Sequence, residues 1–270
     1  MTRILHLSDL HFGYHREDLV GPLLALVNRA RADLVAVTGD LTHRGRPGQF
    51  RQAAAFLDAI AAPLVVVPGN HDVPLYNMPV RFLAPYAGYR RGLGRDLQPA
   101  LSAGGARVAG LNSVDPFSWQ RGILRAGDLD RLAGGVDPLR CNLVALHHPL
   151  EHAPGVDKTL PRGGAAALAR LVSMGVRIAL SGHLHRWTTE ALLETTAHPG
   201  LLQVQSGTAL CARPGDAQNE VTLLEIVGDR VAIERHVAPM PGLRFAPSDR
   251  LDVAFAAGRW RRCGQGSAVF

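Results

Sequence analysis
Pro68-Gly69-Asn70-His71-Asp72 closes an apolar run, Leu64 to Val67, with three side chains that can bind or orient a metal ion or a phosphoryl oxygen. The run reads as a buried strand, and Gly69 lets the chain turn sharply at its end. The same arrangement recurs along the chain. Apolar runs also finish in Ser8-Asp9-Leu10-His11, in Gly39-Asp40, in His147-His148-Pro149 and in Gly182-His183-Leu184-His185, with Asn112-Ser113 as a further candidate. One histidine at a strand end is usually structural, whereas this many separate segments point to one shared site. Their donors are oxygen and nitrogen with no thiolate, a set suited to hard or borderline divalent ions such as Mn, Fe or Zn, or a mixed pair. Asp9 and His11 are two residues apart, as are His183 and His185, so in extended chain each pair faces one way and reaches one polar centre.

Short strands and helices must position these groups. Arg3 to Leu7, Asp33 to Thr38 and Pro63 to Val67 read as buried strands, separated by helices over Leu19 to Ala30 and Phe50 to Ile60. The polar ends Asp9, Asp40 and Asn70 therefore recur about every 30 residues, one βα unit each, which predicts a mostly parallel sheet with ligands at the carboxyl ends of its strands. Val73 to Gly105 breaks the rhythm with Pro, Arg and Tyr, and a helix is expected near Pro79 to Tyr86. Further strands follow at Ala106 to Leu111, Asn142 to Leu146 and Val176 to Leu180, with helices at Asp128 to Leu132 and Gly163 to Met174. Leu201 to Gln205, Glu220 to Val227 and Arg230 to Val237 read as antiparallel strands, the last two joined by a Gly228-Asp229 hairpin. The tail beyond Pro239 is weakly patterned.

Composition narrows the class. The chain has 270 residues, 47% of them hydrophobic, enough for one sizeable α/β core. No apolar stretch approaches about 20 residues, so no membrane span is expected. The N-terminus runs straight into a strand without signal-peptide architecture, and the three scattered cysteines fit neither a zinc spacing nor a disulfide framework, so a cytoplasmic location is expected. The net charge of +6 favours anionic substrates by steering without naming them, and no run of like charges is long enough for a nucleic-acid arm.

The five blocks Asp9-Leu10-His11, Gly39-Asp40, Gly69-Asn70-His71-Asp72, His147-His148-Pro149 and Gly182-His183-Leu184-His185 resemble those of the calcineurin-like metallophosphoesterase superfamily, in that superfamily's order. The double-histidine-proline block looks most like the bacterial class III phosphodiesterases, which include cyclic-AMP and glycerophosphodiester hydrolases. The resemblance implies an αββα sandwich of two mixed sheets flanked by helices, with the active site at strand C-terminal ends. It implies a domain over 1–240, with 73–105 as a cap-like excursion and 241–270 as a tail packing on that domain. It also implies two divalent metal ions: Asp9, His11, Asp40 and His185 would hold one, and Asp40, Asn70, His147 and His183 the other. Asp40 would bridge them, each carboxylate oxygen serving one cation. Such a pair activates a bridging hydroxide for in-line attack on phosphorus. His71 would face the substrate and assist the leaving oxygen, with Asp72 orienting it.

The implied reaction is hydrolysis of small phosphodiesters, with 3′,5′-cyclic nucleotides among them. The expected partner is a small anionic phosphoester, with a homodimer left open. A phosphomonoesterase or protein phosphatase, a DNA nuclease of the Mre11/SbcD branch and a non-catalytic scaffold are the alternatives. Three residues beside the blocks have two readings each. His148 is a substrate contact or a packing residue, and Asn112 is a phosphate contact or a turn residue. Arg44 resembles the phosphate-binding arginine of protein Ser/Thr phosphatases, but His43 stands where that block has an acid, and Asp72 where those enzymes carry Glu.

Overall fold
The computed structural model describes residues 1–216 and 218–263, so the last residues of the expected tail, 264–270, lie outside it. The chain runs β1 (Thr2–Leu7), α1 (Glu17–Arg29), β2 (Leu34–Thr38), α2 (Pro47–Asp58) and β3 (Leu64–Val67). It continues through α3 (Met78–Leu83), α4 (Ala87–Leu93), β4 (Ala100–Ala103), β5 (Ala106–Gly110), α5 (Ala126–Ala133) and β6 (Cys141–Ala145). The second half contains α6 (Gly164–Ser173), β7 (Val176–Ser181), α7 (Thr189–Thr195), β8 (Leu202–Gln205), β9 (Gln218–Val227), β10 (Arg230–Pro239), β11 (Ala246–Ala256) and β12 (Arg259–Arg262).

The strands form two mixed sheets. One has the order β12-β11-β10-β9-β1-β2-β3 and the other β4-β5-β6-β7-β8. Strands β1, β2 and β3 are parallel, as are β5 to β8. Ile4, Leu34, Ala36 and Val65 of the first sheet meet Val108, Leu143, Ile178 and Leu180 of the second in one buried layer. Helices cover both outer faces. Leu19, Leu23 and Val27 of α1 and Phe50, Phe56 and Leu57 of α2 pack on the first sheet, and Ala167, Leu168 and Leu171 of α6 pack on the second. This is the αββα sandwich expected. Strands β1, β2, β3, β6 and β7 are buried nearly end to end, which explains their continuous apolar runs.

Three features differ from the sequence expectations. Leu202–Gln205 is parallel to β7, not antiparallel, because α7 makes a crossover that returns the chain in the same direction. The single helix expected near Pro79 to Tyr86 is two, α3 and α4, separated at Ala84-Pro85-Tyr86, where proline forbids continuation. The tail beyond Pro239 forms the outer strands β11 and β12, with Trp260 buried. In β11 only Leu251 and Val253 are buried, too few inward positions to leave a readable period.

A buried ion pair steadies the loop behind the strand ends. Glu220 is 2% exposed, and it accepts from Gly207 N at 2.6 Å and from Arg235 Nε at 2.8 Å. The next residue, Thr208, donates its hydroxyl to Asp9 O at 2.7 Å. Glu220→Ala leaves Arg235 without its buried partner and Gly207 N without an acceptor. Such a break costs about 3–5 kcal/mol. Urea denaturation is expected to show a loss of that size with an unchanged m-value. A loss under about 1 kcal/mol, as for exposed pairs, would contradict the role.

Candidate metal centre
Each chemical block sits at the carboxyl end of a parallel strand: Asp9 to His11 after β1, Asp40 after β2, Asn70 to Asp72 in a 3-10 turn after β3, His147 after β6, and His183 to His185 after β7. Glycines let these ends approach. A Cβ on Gly69 would lie 2.2 Å from Asp40 N, and one on Gly182 would lie 1.7 Å from Ser8 Oγ, so the second contact joins the two sheets at the site. The paired residues do not converge through extended chain, as their spacing suggested. Asp9, His11, Asp40, His183 and His185 have φ of 55°, 49°, 51°, 71° and 56°. That left-handed backbone is uncommon outside glycine and costs of order 1–3 kcal/mol per residue, a strain typical of functional sites. It turns each side chain back over the strand ends.

The donors fall into two groups. In the first, His185 Nε2 lies 3.0 Å from His11 Nε2 and 3.2 Å from Asp9 Oδ1, and His11 Nε2 lies 3.6 Å from Asp9 Oδ1. In the second, Asn70 Oδ1 lies 3.0 Å from His147 Nε2 and 3.1 Å from His183 Nδ1, and those two nitrogens are 3.2 Å apart. Asp40 Oδ2 faces both groups, 3.6 Å from His11 Nε2 and 3.4 Å from His147 Nε2. Its Oδ1 accepts from His71 N at 2.8 Å. Oδ2 thus faces both groups, while the Asn70–Asp72 turn engages Oδ1.

Three observations show that these residues fit cations. His147 Nδ1 hydrogen-bonds Thr38 O at 2.8 Å and His185 Nδ1 hydrogen-bonds Asp216 Oδ2 at 2.8 Å, so each ring donates outward and turns an Nε2 lone pair inward. Asp9 Oδ1 is buried with no hydrogen-bond partner, although such an atom is costly to leave unpaired. The local field also calls for positive charge. Burial opposes ionisation of Asp9 and Asp40, yet the histidines around them hold both carboxyls well below the usual range. Burial likewise opposes a charge on His147 and His185, but Asp40 raises the first to about 9 and Asp9 raises the second to about 12. Protons and metal ions compete for such nitrogens.

Asp72 is not in contact with the His71 ring. Its carboxylate accepts from Gly69 N (2.9 Å), Leu41 N (3.2 Å), Thr42 N (2.9 Å) and Thr42 Oγ1 (2.9 Å). It ties the β2 and β3 end loops together, while burial and the Asp40 charge push it up to about 6. The ring is held instead by His43 O, 2.6 Å from His71 Nδ1, with the His43 ring stacked at 5.6 Å. A donating Nδ1–H leaves His71 Nε2 free for a substrate.

The three side candidates have partners of their own, and the His148 ring also lies 4.7 Å from that of His183. Both ring nitrogens of buried His148 are engaged, Nδ1 with Ser113 Oγ and Nε2 with Gln120 O, each at 2.9 Å, and burial lowers its pKa to about 3. Asn112 Oδ1 accepts from Val114 N at 3.0 Å, closing its own turn. The Arg44 guanidinium lies 5.1 Å from the Tyr76 ring centroid and bonds the Tyr76 hydroxyl. Sequence reasoning missed Asp216, Thr38, Thr208 and the carbonyl of His43. It also missed Lys158, whose Nζ donates to His183 O at 3.2 Å and whose pKa burial lowers against the pull of Asp9 and Asp40. Thr38 ends an identified strand and was within reach of inspection. The others act across loops with no periodic signal.

Behind the donor groups, His6 is fully buried in β1 with Nε2 2.8 Å from Thr38 Oγ1, and burial depresses its pKa to about 3. The unfolded chain binds a proton near pH 6.5 that the folded chain refuses. Stability from this group is full above 6.5 and falls as pH drops toward 3, by about 1.4 kcal/mol per pH unit. Denaturation of metal-free protein between pH 6 and pH 4 is expected to show a slope smaller by one proton in His6→Gln than in the wild type. Equal slopes would contradict the assignment.

The sequence pattern of the calcineurin-like phosphoesterase family matches residues 2–187. A probable cyclic nucleotide phosphodiesterase of Synechococcus is 29% identical over 205 residues, 68% of this chain and 73% of that protein. A cAMP/cGMP dual specificity phosphodiesterase of Mycobacterium tuberculosis is 31% identical over 201 residues, 67% of this chain and 61% of that protein. Among solved structures, a purple acid phosphatase from yellow lupin seeds superposes with a TM-score of 0.65 at 14% identity, over 94% of this chain and 53% of the other. A vacuolar protein sorting 29 structure from Cryptosporidium parvum gives 0.52 at 14% identity, over 94% of this chain and 98% of the other, and both likenesses concern the fold alone. With its family match spanning β1 to the His185 loop, the chain belongs to the calcineurin-like phosphoesterases.

Proposed function
We propose that the chain is a binuclear metal-dependent phosphodiesterase acting on small diesters, 3′,5′-cyclic nucleotides among them. The observation that carries the reading is Asp40 Oδ2, which faces His11 of one donor group and His147 of the other. Asp9, His11, Asp40 and His185 would hold one ion, and Asp40, Asn70, His147 and His183 the second. Ions such as Mn, Fe or Zn supply Lewis acidity there, clamping phosphoryl oxygens and activating water for in-line displacement.

The chain's own groups do the rest. The His71 ring, fixed through Nδ1 by His43 O, directs Nε2 toward the substrate, where the protonated ring gives its proton to the leaving oxygen. Asp72 keeps that turn on the β2 loop, so His71 and the Asp40 carboxylate move as one unit. Lys158 adds positive charge at the mouth for an anionic ester. The names of the cyanobacterial and mycobacterial relatives favour a diester and a nucleotide. The test is a substrate panel on metal-defined protein: bis(4-nitrophenyl) phosphate, cyclic nucleotides, glycerophosphodiesters, monoesters and DNA. Diesters are expected to turn over ahead of monoesters. No diester turnover with Mn, Fe, Zn, Ni or Co bound would overturn the reading. Preferential cleavage of monoesters would make the chain a phosphomonoesterase, and preferential cleavage of DNA a nuclease.

A further inference from the structure
Among the described residues, the exposed aromatic side chains are Tyr14, Tyr76, Phe82, Phe117 and Trp119. Tyr14 packs on the His43 ring at 4.9 Å, Tyr76 meets Arg44, and Phe82 stacks on Phe117 at 5.3 Å. Trp119 lines a pocket of about 170 Å³ together with Asn70, His71, His43, Val73 and Leu75. Trp119 is 55% exposed.

The indole wall is built in advance. Arg81 is 2% exposed and lies 5.0 Å from the Trp119 ring centroid. Its Nε donates to Pro116 O at 2.7 Å, Nη2 to Ser118 O at 2.6 Å and Nη1 to Pro74 O at 2.9 Å. One guanidinium thus pins the segment bearing Val73 and Leu75 to the loop bearing Trp119. From within the site, Asn70 Nδ2 donates to Trp119 O at 3.3 Å. A large aromatic face left in water, on a loop held at three of its own backbone carbonyls, has lost freedom before any ligand arrives, which is how preorganised recognition surfaces gain affinity.

We propose that Trp119 is a specificity-determining residue, its indole stacking a planar ring of the organic group carried by the phosphoester. The inference rests on the phosphoesterase reading for where the phosphoryl group sits, and it deepens that reading by naming the class of ester. Aliphatic groups fill the pocket without the stacking gain, and planar groups such as nucleobases obtain it.

The test separates the two claims by measuring binding without turnover. Calorimetry on Mn²⁺-loaded full-length protein compares 5′-AMP with ribose 5-phosphate, which share the phosphate and differ in the planar base. The wild type is expected to bind 5′-AMP about tenfold more tightly or better, the scale of one aromatic stacking contact. Trp119→Ala is expected to bring the ratio to within about twofold, and Trp119→Phe to restore most of it. No preference for 5′-AMP in the wild type, or a preference that survives in Trp119→Ala, would overturn the proposal. Failure of the phosphoesterase reading registers separately, as bound metal without hydrolysis of any ester, and leaves this ratio readable.

Discussion
Asp40→Ala is expected to strip both metal ions and to lower kcat/KM for a phosphodiester by about a thousandfold or more. The size follows from where the two oxygens point. Oδ2 faces both donor groups, so under the proposed function its loss would remove a ligand from each site and the negative charge between them. Oδ1 is the acceptor for His71 N, so the same change frees the turn that carries both Asn70 and His71. Metal content after gel filtration and steady-state kinetics on one sample check it. Asp40→Asn divides the effect, since an amide oxygen can still accept from His71 N but brings no charge. Two ions retained in Asp40→Ala would contradict the shared-oxygen arrangement.

His71→Ala is expected to do the opposite to metal and much the same to rate. Its ring touches His11 edge-on at 4.9 Å, and its Nδ1 is bound to His43 O, which turns that nitrogen away from Asp40. Metal content should stay near wild type while kcat falls by about 10²–10⁴, the range for a positioned general acid. The loss should deepen as the leaving alcohol becomes a poorer leaving group, because a nitrophenolate departs without a proton and a ribose or glycerol alkoxide does not. A rate loss equal for both leaving groups would mean that His71 supports the site without giving a proton. Loss of metal would mean that it belongs to a donor group.

The donors themselves were legible because each follows a strand buried on both faces, so a continuous apolar run stops abruptly at a polar residue. Asp9, Asp40, Asn70, His147 and His183 all carry that signature. The orientation of the donors was not legible. The left-handed backbone at Asp9, His11 and His183 is set by contacts with the neighbouring strand ends, such as His183 N donating to Asp9 Oδ2 at 3.0 Å across 174 residues. For the same reason Asp72 looked like a partner for His71, when its four donors come from the β2 and β3 loops. His148 and Asn112 end strands on the correct side, but their polar atoms turn onto nearby loops, a choice of rotamer that sequence does not carry. Asp216 lies in the turn Pro214-Gly215-Asp216, where an aspartate is ordinary, and only the fold brings it to His185. The aromatic wall was hidden likewise, since Arg81 and Trp119 belong to separate irregular segments joined by backbone carbonyls.

The most direct test of a binuclear centre built on one shared oxygen is electron paramagnetic resonance of the protein loaded with two equivalents of Mn²⁺. Two ions held by Asp40 Oδ2 should give the multiline signal of an exchange-coupled pair, and Asp40→Ala should abolish it. A wild-type spectrum that is the sum of two isolated Mn²⁺ ions, or of one bound ion and one free, would contradict the account.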